Sequence, residues 1–171
     1  GVGWALSRYA AATGGRHRAA AAAALAADPL LTGPYGARPA QGWCSGLSGA
    51  VLAALDGGTP PAPGLDRAGA ALAAAAPLQD MSLCHGELGV LEALSALTGP
   101  GHEAAAAARR RRAALLLDTL DRYGPQCGTP HAVPTPGLLS GVAGIGHGLL
   151  RLGFPDRVPA ALLLAPDPGA G

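Results

Sequence analysis

Four times along this chain a Gly-x-x-Gly pair, or what is left of one, opens a run of roughly ten apolar residues. The segments are GVGWALSRYAAA from Gly1, GLSGAVLAAL from Gly46, GELGVLEALSAL from Gly86 and GVAGIGHGLLRL from Gly141. With Gly1, Gly49, Gly89 and Gly144 in register, the steps are 48, 40 and 55 residues, a period that suits a repeating pair of helices. Between these segments lies a second kind of helix, richer in arginine: RHRAAAAAALAA, LDRAGAALAAAA and HEAAAAARRRRAALLLDTLDRY. The alternation predicts an all-α fold with apolar, glycine-started inner helices backed by more polar outer ones. Glycine at the inner starts removes the Cβ and is expected to let backbones converge near an axis. Proline-rich joints, GGTPPAPG and QCGTPHAVPTPG, should end the helix pairs, because proline cannot continue a helix. Periodicity alone does not say whether the inner helices close into a ring.

Composition agrees with helices. Hydrophobic residues make up 49% of the chain, mostly alanine, and aromatics only 4%, whereas a β-sandwich needs β-branched and aromatic residues. A length of 171 residues supports one domain with a real core. The chain opens inside a helical pattern and without methionine, and is expected to be part of a longer protein. A formal charge of +1 points to neither nucleic acid nor a membrane surface as partner. Every basic residue is arginine. The alanine-rich run Ala19 to Ala27, flanked by Arg18 and Asp28, is too short to cross a bilayer. Three widely spaced cysteines make no disulfide framework, and with no signal peptide in view the cytoplasm is the expected compartment. Nothing in the sequence sets an oligomeric state.

Cys44, Cys84 and His85 each stand just before a glycine that starts an inner helix. Helices running side by side bring their N-termini together, so two sulfurs and one imidazole would meet although Cys44 and Cys84 are 40 residues apart. Two thiolates and one imidazole with a fourth position open match the ligand count of catalytic zinc. The positive ends of the helix dipoles would favour thiolate there. A metal centre requires the three ligand atoms to lie within roughly 4 Å of one another. On spacing alone the alternative stays open: two small buried cysteines and a hydrogen-bonding histidine at a helix start. Cys127 and His131, four apart in a proline-rich loop, form a rival pair without a helix to fix it.

SLCHGELGVLEAL, GWCSGLSG and CGTPHAVPTPGLLSGVAGIGHGLLRL resemble the cyclase domain of lanthionine synthetases. The likeness is to the C-terminal part of class II (LanM-type) lanthipeptide synthetases, and FPDRVPAALLLAPDP resembles the tail of such enzymes. The resemblance covers nearly the whole chain and implies that residues 1–171 are a partial cyclase domain. It implies the C-terminal part of an α/α toroid, an inner ring of helices inside an outer one. It also implies Zn2+ held by Cys44, Cys84 and His85, and a ribosomally made precursor peptide as partner. The implied chemistry adds a substrate cysteine, activated on the metal, to the β-carbon of a dehydroalanine or dehydrobutyrine and gives a thioether ring.

The family's acid/base histidine falls before the equivalent of Gly1, so no catalytic acid or base is assigned among these residues. Ser45 follows the first cysteine where histidine or tyrosine is usual. His147 and His131 stand where tyrosine and a small residue are common, and both are read as local substitutions. Glu87 is explained as a charge at a helix N-terminus, and Arg109 to Arg112 as a solvated outer face. Two other functions compete: a non-catalytic helical remnant that binds peptides, and another zinc thiol-alkylating α/α-barrel enzyme such as a prenyltransferase subunit. One phenylalanine, three tyrosines and two tryptophans make the aromatic lipid pocket of the latter hard to build. The substrate peptide, its ring number and its stereochemistry are not encoded here.

Overall fold

Each glycine-started segment becomes a helix, and so does each arginine-bearing one. The structure, a computed structural model, describes residues 1–36, 38–57 and 64–164. Among these residues it contains eight α-helices and no strand. The glycine-started helices are α1 (Val2–Ala12), α4 (Leu47–Asp56), α6 (Glu87–Ala96) and α8 (Val142–Gly153). The arginine-bearing ones are α2 (Arg18–Ala26), α5 (Leu65–Ala74) and α7 (Glu103–Tyr123). A single turn, α3 (Pro29–Thr32), starts where the Asp28 side chain accepts from Leu30 N at 2.9 Å and Pro29 takes the first helical position, both good helix-start signals.

The helices pack in two layers. α1, α4, α6 and α8 form a row in which each touches the next, with α2 behind α1, α5 behind α4 and α7 behind α6. α4 and α6, in mid-row, are buried on nearly every side, whereas α1 buries only Gly3 and Ala10 and α8 only Gly144, Ile145 and Gly148. Val2 at one end and Leu150 at the other are 74% and 55% exposed. The inner-outer alternation is therefore present, and the two ends of the row carry open apolar surface. Closure into a toroid is not traced by these residues. The joint GGTPPAPG falls, at 58–63, outside the described residues, as does the end of the tail motif at 165–168.

The glycine pairs turn out to serve something other than approach between helices. In three repeats the loop before the helix folds back over the helix's own first turn. Leu47 N donates to Ala40 O, Glu87 N to Asp80 O and Val142 N to Thr135 O, at 2.9, 2.9 and 2.8 Å. None of these helices has a side-chain cap; backbone carbonyls seven residues back satisfy donors that a helix start otherwise leaves orphaned. The second glycine of each pair lies under that loop. A Cβ on Gly49, Gly89 or Gly144 would sit 1.9, 2.2 or 1.7 Å from the carbonyl oxygen of Trp43, Leu83 or Leu138.

One expected surface residue is at the centre of the fold. Arg112 is fully buried, while Arg110 and Arg111 are exposed and Arg109 is half-buried. The helical turn of α7 explains the split: Arg112 falls on the stripe of Ala105, Ala108 and Leu116, which faces inward. Its Nε and Nη2 donate to the two carboxylate oxygens of Glu87 at 2.6 and 2.8 Å. Removing one partner of such a pair strands the other charge and costs about 3–5 kcal/mol.

The contrast between packed and open glycines gives a test by thermal unfolding. Gly89→Ala, driven into a backbone carbonyl, should destabilise by about 1–3 kcal/mol or more. Gly146→Ala, in α8 with nothing within 4 Å of its added Cβ, should stabilise by about 0.5–1 kcal/mol through helix propensity.

Candidate metal centre

The lead-in loops that bury the glycine pairs also lie side by side. Cys44 and Cys84 occupy the same motif position, two residues before Gly46 and Gly86; Leu139 occupies it before Gly141. Trp43 N and Cys44 N donate to Cys84 O at 2.7 and 3.3 Å, and Cys84 N donates to Leu139 O at 2.9 Å. The three loops thus form a short backbone ladder across the N-terminal ends of α4, α6 and α8. Two rungs carry cysteine and the third leucine.

The second loop is the most tightly built. Asp80 Oδ1 accepts from Ser82 N at 3.0 Å and Ser82 Oγ at 2.6 Å, and the Ser82 hydroxyl, wholly buried, accepts from His85 N at 3.5 Å. This turn aims Cys84 and His85 to the same side although they are adjacent in sequence. One ligand atom from each of Cys44, Cys84 and His85 lies within 4.8 Å of the others. The expected convergence is present, somewhat looser than the 4 Å limit. Bonds of about 2.0–2.3 Å to a tetrahedral zinc would need the atoms to close by roughly 1 Å. Cys44 and His85 are exposed and Cys84 half-buried, so side-chain rotation suffices. The donor set of two soft sulfurs and one imidazole fits zinc.

His85 has its tautomer fixed by a neighbour. Its Nε2 lies 2.8 Å from Gly128 O. A carbonyl only accepts, so Nε2 carries the proton and Nδ1 keeps the lone pair that a metal would take. Carbonyl-oriented histidines of this kind are the usual support of a metal ligand. Gly128 is obligatory at this contact, since a Cβ would lie 2.7 Å from His85 Nε2 and 2.5 Å from Ser82 Oγ. Cys84 does not follow the sequence expectation that a helix N-terminus favours thiolate. Burial, then the hydrogen bond and the charge of Cys44, push Cys84 up from 9.0 to about 11. Two facing sulfurs resist a second negative charge, and a divalent cation between them reverses that balance.

Beside Cys44 a cavity of about 390 Å3 opens between α1 and α4, lined by Trp4, Trp43, Ser45 and the C-terminal Leu162 and Leu163. Both tryptophans of the chain are here, an aromatic wall that the sequence did not reveal. Larger cavities, of about 450 Å3 among α6, α7 and α8 and about 710 Å3 along α7, include none of the three candidate ligands. The rival pair is separated in character: Cys127 is buried in the core and His131 is exposed with a left-handed φ of 59°. Neither joins the three-residue cluster. The ring of His147 is hydrogen-bonded to Pro159 O at 3.2 Å in the C-terminal segment. Sequence reasoning missed Gly128, whose contact with His85 spans 43 residues and leaves no local signal.

Because its Cβ would push residue 128 and its carbonyl away from the ring, Gly128→Ala should weaken zinc binding by about 10–100-fold, the usual effect of displacing an outer partner of a ligand. Competition against a chromophoric chelator measures this directly. Wild-type affinity in that variant would show that the histidine needs no such support.

Comparison with known proteins agrees with the geometry. The model of the family described as lanthionine synthetase C-like protein matches residues 31–163, well over half of the chain and all three candidate ligands. No curated protein and no solved structure matches. An all-helical stack of glycine-started inner helices, a Cys-Cys-His cluster at their N-termini and this match lead to one assignment: the chain belongs to the lanthionine synthetase C-like family.

Proposed function

We propose that residues 1–171 are the C-terminal part of the cyclase domain of a class II (LanM-type) lanthipeptide synthetase, working in the cytoplasm on a ribosomally made precursor peptide. The observation that carries this reading is the meeting of Cys44, Cys84 and His85 in a chain of this family. No described helix is long and apolar enough to cross a membrane, in keeping with a substrate met in solution.

The two cysteine sulfurs and Nδ1 of His85 would hold Zn2+. When bound, the ion would lower the pKa of a substrate cysteine and so supply a nucleophile near neutral pH. In the proposed reaction the thiol loses its proton, its sulfur bonds to the β-carbon of a dehydroalanine or dehydrobutyrine, and the α-carbon takes up a proton. The chain's own residues prepare this. Asp80 and Ser82 shape the loop that presents Cys84 and His85, and the Gly128 carbonyl holds the imidazole. Ser45, Trp4 and Trp43 wall the adjoining cavity, where an apolar dehydrated residue is sheltered from water. The proton delivered to the α-carbon is assigned to a group upstream of residue 1, following the family resemblance.

Metal content is the first test. The chain should bind one zinc, and Cys84→Ala should abolish it. Because Cys84 is a thiol until about pH 11, zinc must displace protons at neutral pH. Binding should release at least the Cys84 proton near pH 7.5, and affinity should rise with pH and fall as the solution is acidified. Isothermal titration in buffers of different ionisation enthalpy reads that count.

Activity is tested with a pre-dehydrated precursor peptide, counting free thiols by alkylation and mass spectrometry. The protein carrying the upstream helices should cyclise it, and residues 1–171 alone should cyclise little or none. Unchanged zinc and cyclisation in Cys84→Ala would refute the reading. A chain that binds peptide but no metal would favour a non-catalytic remnant.

A further inference from the structure

Resting on that metal reading, a second set of contacts concerns how the ligands are kept apart by the right distance. The backbones of the loops bearing Cys44 and Cys84 are joined near the sulfurs at Cys84 O, which accepts from Trp43 N and Cys44 N. A second junction is Arg112, on α7. Its Nη2 donates to Gln41 Oε1 at 2.8 Å and to Glu87 Oε2 at 2.8 Å, and its Nε to Glu87 Oε1 at 2.6 Å. Gln41 stands three residues before Cys44 and Glu87 two after His85. A single guanidinium therefore grips both ligand-bearing loops.

We propose that Arg112 is the positioning residue of the metal centre, acting through Gln41 and Glu87 to set the separation between Cys44 and the Cys84–His85 pair. The Nη1 group anchors the guanidinium itself, donating to Leu72 O at 3.4 Å and Ala75 O at 3.0 Å beside the end of α5. All five N–H donors of Arg112 are thus used. Each grip is stiff in turn. Gln41 Nε2 donates to Ala76 O at 2.8 Å while Gln41 O accepts from Ser48 N. Glu87 accepts from Leu78 N at 2.8 Å and donates its own N–H to Asp80 O, closing the turn that aims His85. Stability alone accounts poorly for this arrangement, because well-packed apolar residues often replace a buried ion pair without loss. Position accounts for it. A planar fork fixes direction as well as distance, which a lysine ammonium cannot do.

The test compares Gln41→Ala, Arg112→Lys and Arg112→Met with wild type, and with Arg151→Gln as control. Arg151 ties α8 to Glu92 of α6 at 2.6 and 2.7 Å, outside the cluster. Three quantities are read below the melting temperature. They are zinc affinity by chelator competition, the visible spectrum of the Co2+ form, and capture of phenylarsine oxide, which bridges two thiols only when they are properly spaced. Gln41→Ala cuts only the link to the first loop and keeps the Arg112–Glu87 pair. It should lose about 10–100-fold in zinc affinity, shift the Co2+ bands and slow arsenical capture at temperatures where it is fully folded, with the modest fall in Tm that an unpaired Arg112 donor brings. Arg112→Lys should fail to rescue. Arg151→Gln should lower Tm and leave all three readings at wild-type values.

Wild-type zinc affinity and arsenical capture in Gln41→Ala would overturn the proposal, whatever Arg112→Met does to folding. Should the wild-type chain capture the arsenical yet bind neither zinc nor cobalt, the metal reading fails. Arsenical capture in Gln41→Ala then decides the spacing proposal by itself.

Discussion

A fully buried charged group with every donor paired to protein dictates where its neighbours stand. Arg112 brings together α7, the end of α5, the loop before α4 and the first residue of α6. Burying a guanidinium and a carboxylate costs several kcal/mol in lost hydration, and only good geometry offsets it. The offset fails if any of those elements shifts. The outer layer of helices therefore registers the inner one instead of merely covering it. Apolar packing of Leu, Val and Ala in α4, α5 and α6 supplies the bulk of the stability but is tolerant of small slips. The ion pair is not.

The helix starts show a related economy. A helix ordinarily ends its first turn with free N–H groups that Ser, Thr, Asp or Asn side chains cap. Here the chain caps itself with backbone carbonyls from seven residues back, and glycine is what allows the loop to come so close. No side chain near the helix start is needed for capping. Positions two and one before the first glycine are consequently free for other purposes, and Cys44, Cys84 and His85 stand there. The same closure lines the loops up into a ladder, so residues far apart in sequence become neighbours through a repeated local structure.

This explains what could be seen in the sequence. The inner-outer alternation was legible because glycine spacing and apolar runs are local and repeated. The meeting of Cys44, Cys84 and His85 was legible because two of the three share one motif position. Three features were not. The arginine run on α7 reads as a solvated face, and only the phase of the helix against α6 shows that Arg112 turns inward. Gln41 and Gly128 make their contacts across 71 and 43 residues, with nothing local to mark them. The role of the second glycines was misread as contact between helices, because a loop folding back on its own helix has the same signature as close helix packing.

The link between His85 and Gly128 has a consequence for the flow of protons. A carbonyl receives a hydrogen bond but never returns a proton, so the outer nitrogen of His85 is tied into a dead end. On that side the imidazole passes no proton onward. Any group that meets the Cys44–Cys84–His85 cluster therefore finds no proton path out through the Gly128 contact.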